Sequence, residues 1–70
     1  MTVVEKQHTN ENYYIAMELK QGYNTMHYEV VACPIVDDNL CGYPIRSMTY
    51  SLDEKKKAEN TFRRYKNTYK

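Results

Sequence analysis

Apolar and polar side chains alternate over residues 13–20, the period expected of a β-strand with one face buried and the other in water. A second run with the same alternation begins at Met26. Gly22 lies between the two runs, and glycine at the first central position favours a two-residue type II′ turn, where φ is positive. We therefore predict a β-hairpin over residues 13–32. Its predicted cross-strand pairs on the buried face are Leu19–Met26, Met17–Tyr28, Ile15–Val30 and Tyr13–Ala32.

The segment after this hairpin predicts a turn and a third strand. Pro34 ends regular pairing of the second strand or confines it to an edge, because proline has no N–H for the ladder. Short polar side chains at residues 37–39 hydrogen-bond their own backbone readily, which predicts a turn. The third strand is then expected over residues 43–51.

Two registers are open for the third strand. We favour the one that buries Met48 and Tyr50, because it leaves the hydroxyl side chains in water, with a bulge near Gly42 accommodating Ile45. The other register sends inward the side chains of Ile45, Ser47 and Thr49.

A helix is predicted from Ser51 onward. Ser51 and Glu54 have the spacing of a capping box, in which the serine side chain and the glutamate satisfy backbone N–H groups reciprocally. Four apolar or aromatic residues then recur at helical spacing and form one stripe for burial. They are Ala58, Phe62, Tyr65 and Tyr69.

These elements predict an α+β fold, β-β-β-α, in which a three-stranded antiparallel meander is packed on one face by a C-terminal helix. Residues 12–70 form a single domain in this prediction. Residues 1–11 have their only apolar cluster at Val3 and Val4 and are expected to be a flexible N-terminal arm.

Composition adds a preference for half-exposed surfaces. Hydrophobic residues make up 41% of the chain, yet mean hydropathy is −0.86, because eight tyrosines carry much of the apolar area with a hydroxyl attached. The N-terminal residues have no apolar core, so neither a secretory signal nor a membrane span is expected there. We predict a cytoplasmic protein that does not enter membranes.

Metal-dependent and nucleophilic chemistry are not expected. Cys33 and Cys41 are eight residues apart, which does not match the close ligand pairs of structural zinc sites. His27 and Cys33 would lie about 20 Å apart along one strand, too far for a catalytic dyad. The cysteines are expected to be thiols, with a disulfide across a second hairpin as the less favoured alternative.

The chain also offers little for a ligand or substrate. It has two glycines and no glycine-rich phosphate loop, and its size leaves little room for a cleft. We therefore predict no enzymatic activity, no metal, no cofactor and no small-molecule substrate.

Charge is divided between the two parts of the chain. From Asp53 onward seven basic and three acidic residues give +4, whereas residues 1–52 carry three basic and six acidic residues and give −3. A basic helix is a candidate surface for nucleic-acid phosphates. The candidate contacts are Lys56, Lys57, Arg63, Arg64 and Lys70.

The predicted architecture resembles two families of DNA-binding modules, the AP2 domain and the N-terminal domain of certain transposon integrases. The resemblance implies that the sheet face reads the DNA groove. Here that face carries a mixed and partly acidic set of side chains: Tyr14, Glu18, Lys20, His27 and Glu29.

Protein binding is the function that the sequence favours. A tyrosine-rich sheet face and unpaired sheet edges are typical of interaction surfaces, including those of homodimers. The candidate interface residues are Tyr14, Tyr23, Val31 and Tyr43. We expect a small non-enzymatic interaction module that binds a protein partner or itself, with nucleic-acid binding through the basic helix as the alternative.

Overall fold

The structure, a computed structural model, describes residues 2–36 and 40–70. It has an α+β architecture in which an antiparallel sheet carries one C-terminal helix. In chain order the elements are β1 (Thr2–Thr9), β2 (Tyr13–Gln21), β3 (Met26–Val36), β4 (Leu40–Cys41), β5 (Arg46–Ser51), a 3-10 turn (Leu52–Glu54) and α1 (Lys55–Thr68).

The main sheet has four strands in the order β1-β2-β3-β5, and the two-residue β4 pairs with the last residues of β3. The predicted count of three strands is therefore wrong. The additional strand is β1, which lies where the sequence predicts a flexible arm. An edge strand with both faces largely exposed needs no apolar alternation. The sequence of β1 lacks that alternation, so periodicity did not predict a strand there. A four-stranded sheet also departs from the three-stranded architecture of the AP2 domain.

The β2–β3 hairpin is present, but its predicted register is wrong by two residues. Met17 lies opposite Val30, and Leu19 lies opposite Tyr28. The chain reverses one residue later than predicted, so the Gly22 N–H donates to the Thr25 carbonyl at 2.6 Å. A shift of two residues keeps every side chain on its predicted face, so the apolar face is as expected.

The preferred face of the third predicted strand is found in β5. Met48 lies opposite Val30 and Tyr50 opposite Tyr28, on the inner side of the sheet, and Tyr50 packs partly buried against the core. Met48 was expected to be buried and is 44% exposed, because it lies at the open margin of the sheet. The strand begins at Arg46 rather than at residue 43. The turn predicted at residues 37–39 lies outside the described residues.

The helix begins as the sequence predicts. The capping box is present, with the Ser51 N–H donating to Glu54 Oε1 at 3.1 Å, and the 3-10 turn leads into α1. Its buried residues include the predicted Ala58, Phe62 and Tyr65. Thr61 is a fourth buried residue, which the apolar stripe did not include.

The core lies between α1 and one face of the sheet, called the inner face below. Ile15, Met17 and Val30 are fully buried there, and Phe62 and Tyr65 of the helix pack against them. The opposite face of the sheet is called the outer face. Within the described ranges, no helix has the length and apolar character required to cross a membrane.

Candidate functional site

The outer face contains a small closed apolar cluster. Ala16, Val31 and Cys33 are buried there, and the ring of Tyr14 packs against them. The Tyr14 hydroxyl donates to Gln7 Oε1 at 3.2 Å, which ties the ring to β1. Of the predicted interface residues, Val31 is only 6% exposed, so the outer face offers less apolar surface than its sequence indicated.

The other two predicted interface residues are almost fully exposed. Tyr23 is 99% exposed in the β2–β3 turn, and Tyr43 is 93% exposed in the segment before β5. These positions flank opposite ends of β3, whose 11 residues span about 33 Å at a rise of roughly 3.3 Å per residue. The structure therefore does not bring the four predicted residues into one patch.

The two edges of the main sheet differ. Along β1 the register shifts between Val4 and Lys6, which is the irregularity of a β-bulge. Glu5 and Lys6 lie at this position and form ion pairs with Lys55 at 3.9 Å and Glu59 at 3.5 Å. A bulge and charges protect an edge strand against pairing with another chain.

The β5 edge lacks this protection. Its pairing with β3 is regular from Arg46 to Ser51, and residues 47–51 are uncharged. Within residues 2–36 and 40–70, β5 pairs only with β3. Met48 is 44% exposed beside this open edge.

A pocket of about 330 Å³ lies between β5 and the C-terminal end of α1. Its lining combines two basic, two aromatic, one apolar and one hydroxyl side chain: Arg46, Met48, Arg64, Tyr65, Thr68 and Tyr69. The Arg64 guanidinium carbon lies 5.9 Å from the centre of the Tyr65 ring. Burial raises the pKa of Tyr65, Tyr50 and Tyr69 raise it further, and Arg64 and Arg46 oppose the shift, so both arginines act on this pocket electrostatically.

Two carboxylates of the outer face share one lysine. Glu18 and Glu29 lie opposite each other on β2 and β3. Lys20 Nζ lies 2.9 Å from Glu29 and 3.9 Å from Glu18, and the hydrogen bond with Glu29 raises the pKa of Lys20. The three side chains form one ion-paired cluster on the outer face.

The predicted phosphate contacts have different surroundings in the structure. Lys57 pairs with Glu54 at 3.1 Å, and Arg64 lines the pocket. Lys70 follows the end of α1, which leaves Lys56 and Arg63 on the helix exterior.

Metal ligands are not gathered in the part of the chain that is described. No group of three or more His, Cys, Asp or Glu side chains there could hold an ion. Cys33 is buried in the outer-face cluster, whereas the side chain of Cys41 lies outside the description. The expectation of two thiols, with a disulfide as the less favoured alternative, therefore stays a prediction.

The sequence interpretation did not identify the pocket. Arg46 could have indicated it, because the preferred register of β5 places this charged residue on the same face as Met48 and Tyr50. Arg46 is exposed at the margin of this face, where its charge can meet water or an anionic partner.

No protein-family model, no curated protein and no solved structure is significantly similar to this chain. A function for it is therefore inferred from geometry and charge.

Proposed function

We propose that this chain is a non-enzymatic interaction module that associates with a second copy of itself through the open edge of β5. The carrying observation is the contrast between the edges, since β1 has a bulge with ion-paired charges and β5 has neither along residues 47–51. We place the module in the cytoplasm as part of the same proposal, because a content of two cysteines suits a reducing compartment.

Antiparallel pairing of two β5 strands supports a definite register. Directly opposed residues point to the same face of a sheet, so Met48 can lie opposite Met48 of the second copy. Arg46 then lies opposite Tyr50, which places a cation beside an aromatic ring instead of a like charge. Both copies of α1 lie on the same side of the continuous eight-stranded sheet.

The composition of the chain favours a second copy as the partner at the β5 edge. A domain of 70 residues has a small core, and association is a common supplement to such cores. A net charge of +1 produces little repulsion between two copies. Association would also cover Met48, which is 44% exposed in the single chain.

Sedimentation equilibrium over a wide concentration range tests the proposal, with a variant that adds a charge to the β5 edge. Thr49→Lys places two positive charges about 8 Å apart across the two-fold axis, and edge lysines oppose strand addition. We expect this variant to weaken dimerisation at least tenfold. Its control is Thr9→Lys, the same change at an exposed position of β1. A chain that is monomeric at about 1 mM, or equal weakening by both variants, would overturn the proposal.

Nucleic-acid binding through the exterior of α1 is the second candidate. Basic and amide side chains recur there at spacings of four, three and four residues, all exposed: Lys56, Asn60, Arg63 and Asn67. Such a stripe suits phosphate contacts along a backbone.

Titration into labelled DNA and RNA at low and moderate salt tests this candidate. Replacing Lys56 and Arg63 together with Gln should weaken binding and flatten its salt dependence. Absence of binding at low salt would remove the candidate, because phosphate-driven affinity is greatest there.

A further inference from the structure

The pocket between β5 and α1 brings two arginines together from different elements. Arg46 comes from the sheet and Arg64 from the helix, and the residues that line the pocket include no carboxylate. Neither arginine takes part in an ion pair with any residue that the structure describes. We infer that this pocket binds a small organic anion, whose phosphate or carboxylate group lies between the two guanidinium groups.

Charge is the first support for this inference. Guanidinium groups stay protonated at all physiological pH values, and two of them beside one pocket attract an anion. Their planar N–H pairs match the oxygens of phosphate and carboxylate groups. The helix dipole also favours cations at the C-terminal end of α1, so Arg64 can stabilise the helix there. The variants below separate this effect from ligand binding.

The other side chains that line the pocket set a second requirement for the ligand. Met48 and Tyr69 add apolar and aromatic surface, while Tyr65 and Thr68 add hydroxyl groups. A volume of about 330 Å³ falls at the lower end of small-molecule sites. An anionic head group on a compact aromatic or apolar body fits this combination, and such a ligand lies outside the sequence expectation that no small molecule binds.

Methyl NMR with phenyl phosphate, benzoate and inorganic phosphate tests the inference at low ionic strength. We expect saturable shifts of the Met48 and Thr68 methyl signals with phenyl phosphate or benzoate, and none of the Met26 methyl signal, which belongs to the far end of β3. Saturation by phenyl phosphate alone assigns a phosphate ligand, and saturation by benzoate alone assigns a carboxylate. Absence of saturation with all three probes would overturn the inference.

Charge-matched variants separate the pocket from general attraction to the basic helix. Arg46→Gln and Arg64→Gln should each weaken binding at least tenfold. Arg63→Gln removes the same charge from the neighbouring exposed position and should change affinity less than twofold. Equal losses in all three variants would show nonspecific attraction and overturn the inference.

Two further variants keep the test independent of folding and of self-association. Arg64→Lys retains the charge at the helix end but loses the planar pair of donors, so weakened binding with unchanged stability identifies ligand recognition. The titration is repeated in the Thr49→Lys background. Binding that persists there supports the pocket whether or not the chain dimerises, and binding that disappears with the open edge overturns it.

Discussion

Thr61 is a polar residue within the buried stripe of α1. It is 4% exposed, and its Oγ1 atom lies 2.5 Å from the hydroxyl of Tyr50 on β5. The apolar period of the helix could not identify Thr61, because its partner comes from a strand eleven residues earlier in the chain. This hydrogen bond joins the helix to the edge strand of the sheet.

A double-mutant cycle measures the coupling between these hydroxyl groups. We expect Tyr50→Phe and Thr61→Val each to lower the free energy of unfolding by about 1 kcal/mol, as is typical of one buried hydrogen bond. The double variant should lose clearly less than the sum, because both changes remove the same interaction. Urea denaturation provides the values, and additive losses would contradict the pairing.

Tyrosines show how far a residue's environment follows from the sequence. Tyr65 is 7% exposed, as its place in the helical stripe predicts, and Tyr23 is 99% exposed, as expected in a turn. Val31 was expected to be exposed and is 6% exposed, because the Tyr14 ring and the small Ala16 close the outer face locally. Alternation predicts the face of a side chain, whereas its exposure depends on the size of its neighbours.

The register of the β2–β3 hairpin could not be predicted from alternation either. The period of two residues assigns the same faces to pairings that differ by two, so only the turn distinguishes Met17–Val30 from Met17–Tyr28. Glycine at position 22 favoured a type II′ turn, but Gly22 does not have the positive φ that this turn requires.

Gly22→Ala distinguishes the two turns. In the structure an added Cβ would lie 3.3 Å from Thr25 Oγ1 and 3.4 Å from the Thr25 carbonyl oxygen, and rotation of the threonine relieves the closer contact. We expect a change in the free energy of unfolding within about 1 kcal/mol of zero, since reduced freedom of the unfolded chain offsets the crowding. The type II′ turn would instead cost about 1–3 kcal/mol, because alanine rarely adopts the positive φ of its first central position. Denaturation measures the change in the free energy of unfolding, and NOEs between Met17 and Val30 report whether the register is kept.

The start of the helix depends on the charge of Glu54. The Ser51 N–H and Lys57 lower the pKa of Glu54 below its ordinary value of 4.5 in the folded protein. The resulting stability is present above the unfolded pKa and is lost as pH falls through the lower folded pKa.

We therefore expect the urea midpoint of the parent protein to fall more than that of Glu54→Gln as pH falls from 5 through the folded pKa. Helix content followed by circular dichroism gives the comparison. Glu11→Gln removes a carboxylate from the exposed β1–β2 turn and corrects for the change in net charge. Parallel curves for the parent and Glu54→Gln would contradict the role of this carboxylate.

At the scale of the whole molecule, β1 is the part that the sequence did not predict. The sheet face under α1 and the helix itself followed from periodicity, because both bury one side. A polar edge strand buries neither side, and its pairing depends on backbone groups and on long-range contacts such as the ion pair of Lys6 with Glu59.

Deletion of residues 2–9 tests whether β1 is structural. Loss of the strand exposes the ladder groups of β2 and the margin of the core, so we expect lower stability and concentration-dependent aggregation. A Glu5→Ala/Lys6→Ala control removes the ion pairs but keeps the strand, and it should cost less than about 1 kcal/mol. Unchanged stability on deletion would indicate an arm, as the sequence first suggested.

The order of elements along the chain has a consequence for biosynthesis. Ile15, Met17 and Val30 belong to strands that emerge from the ribosome before α1, the element that covers them. Until the helix arrives, the nascent sheet presents its apolar face to solvent, as aggregation-prone folding intermediates do. Docking of α1 is therefore the folding step that removes this apolar face from water.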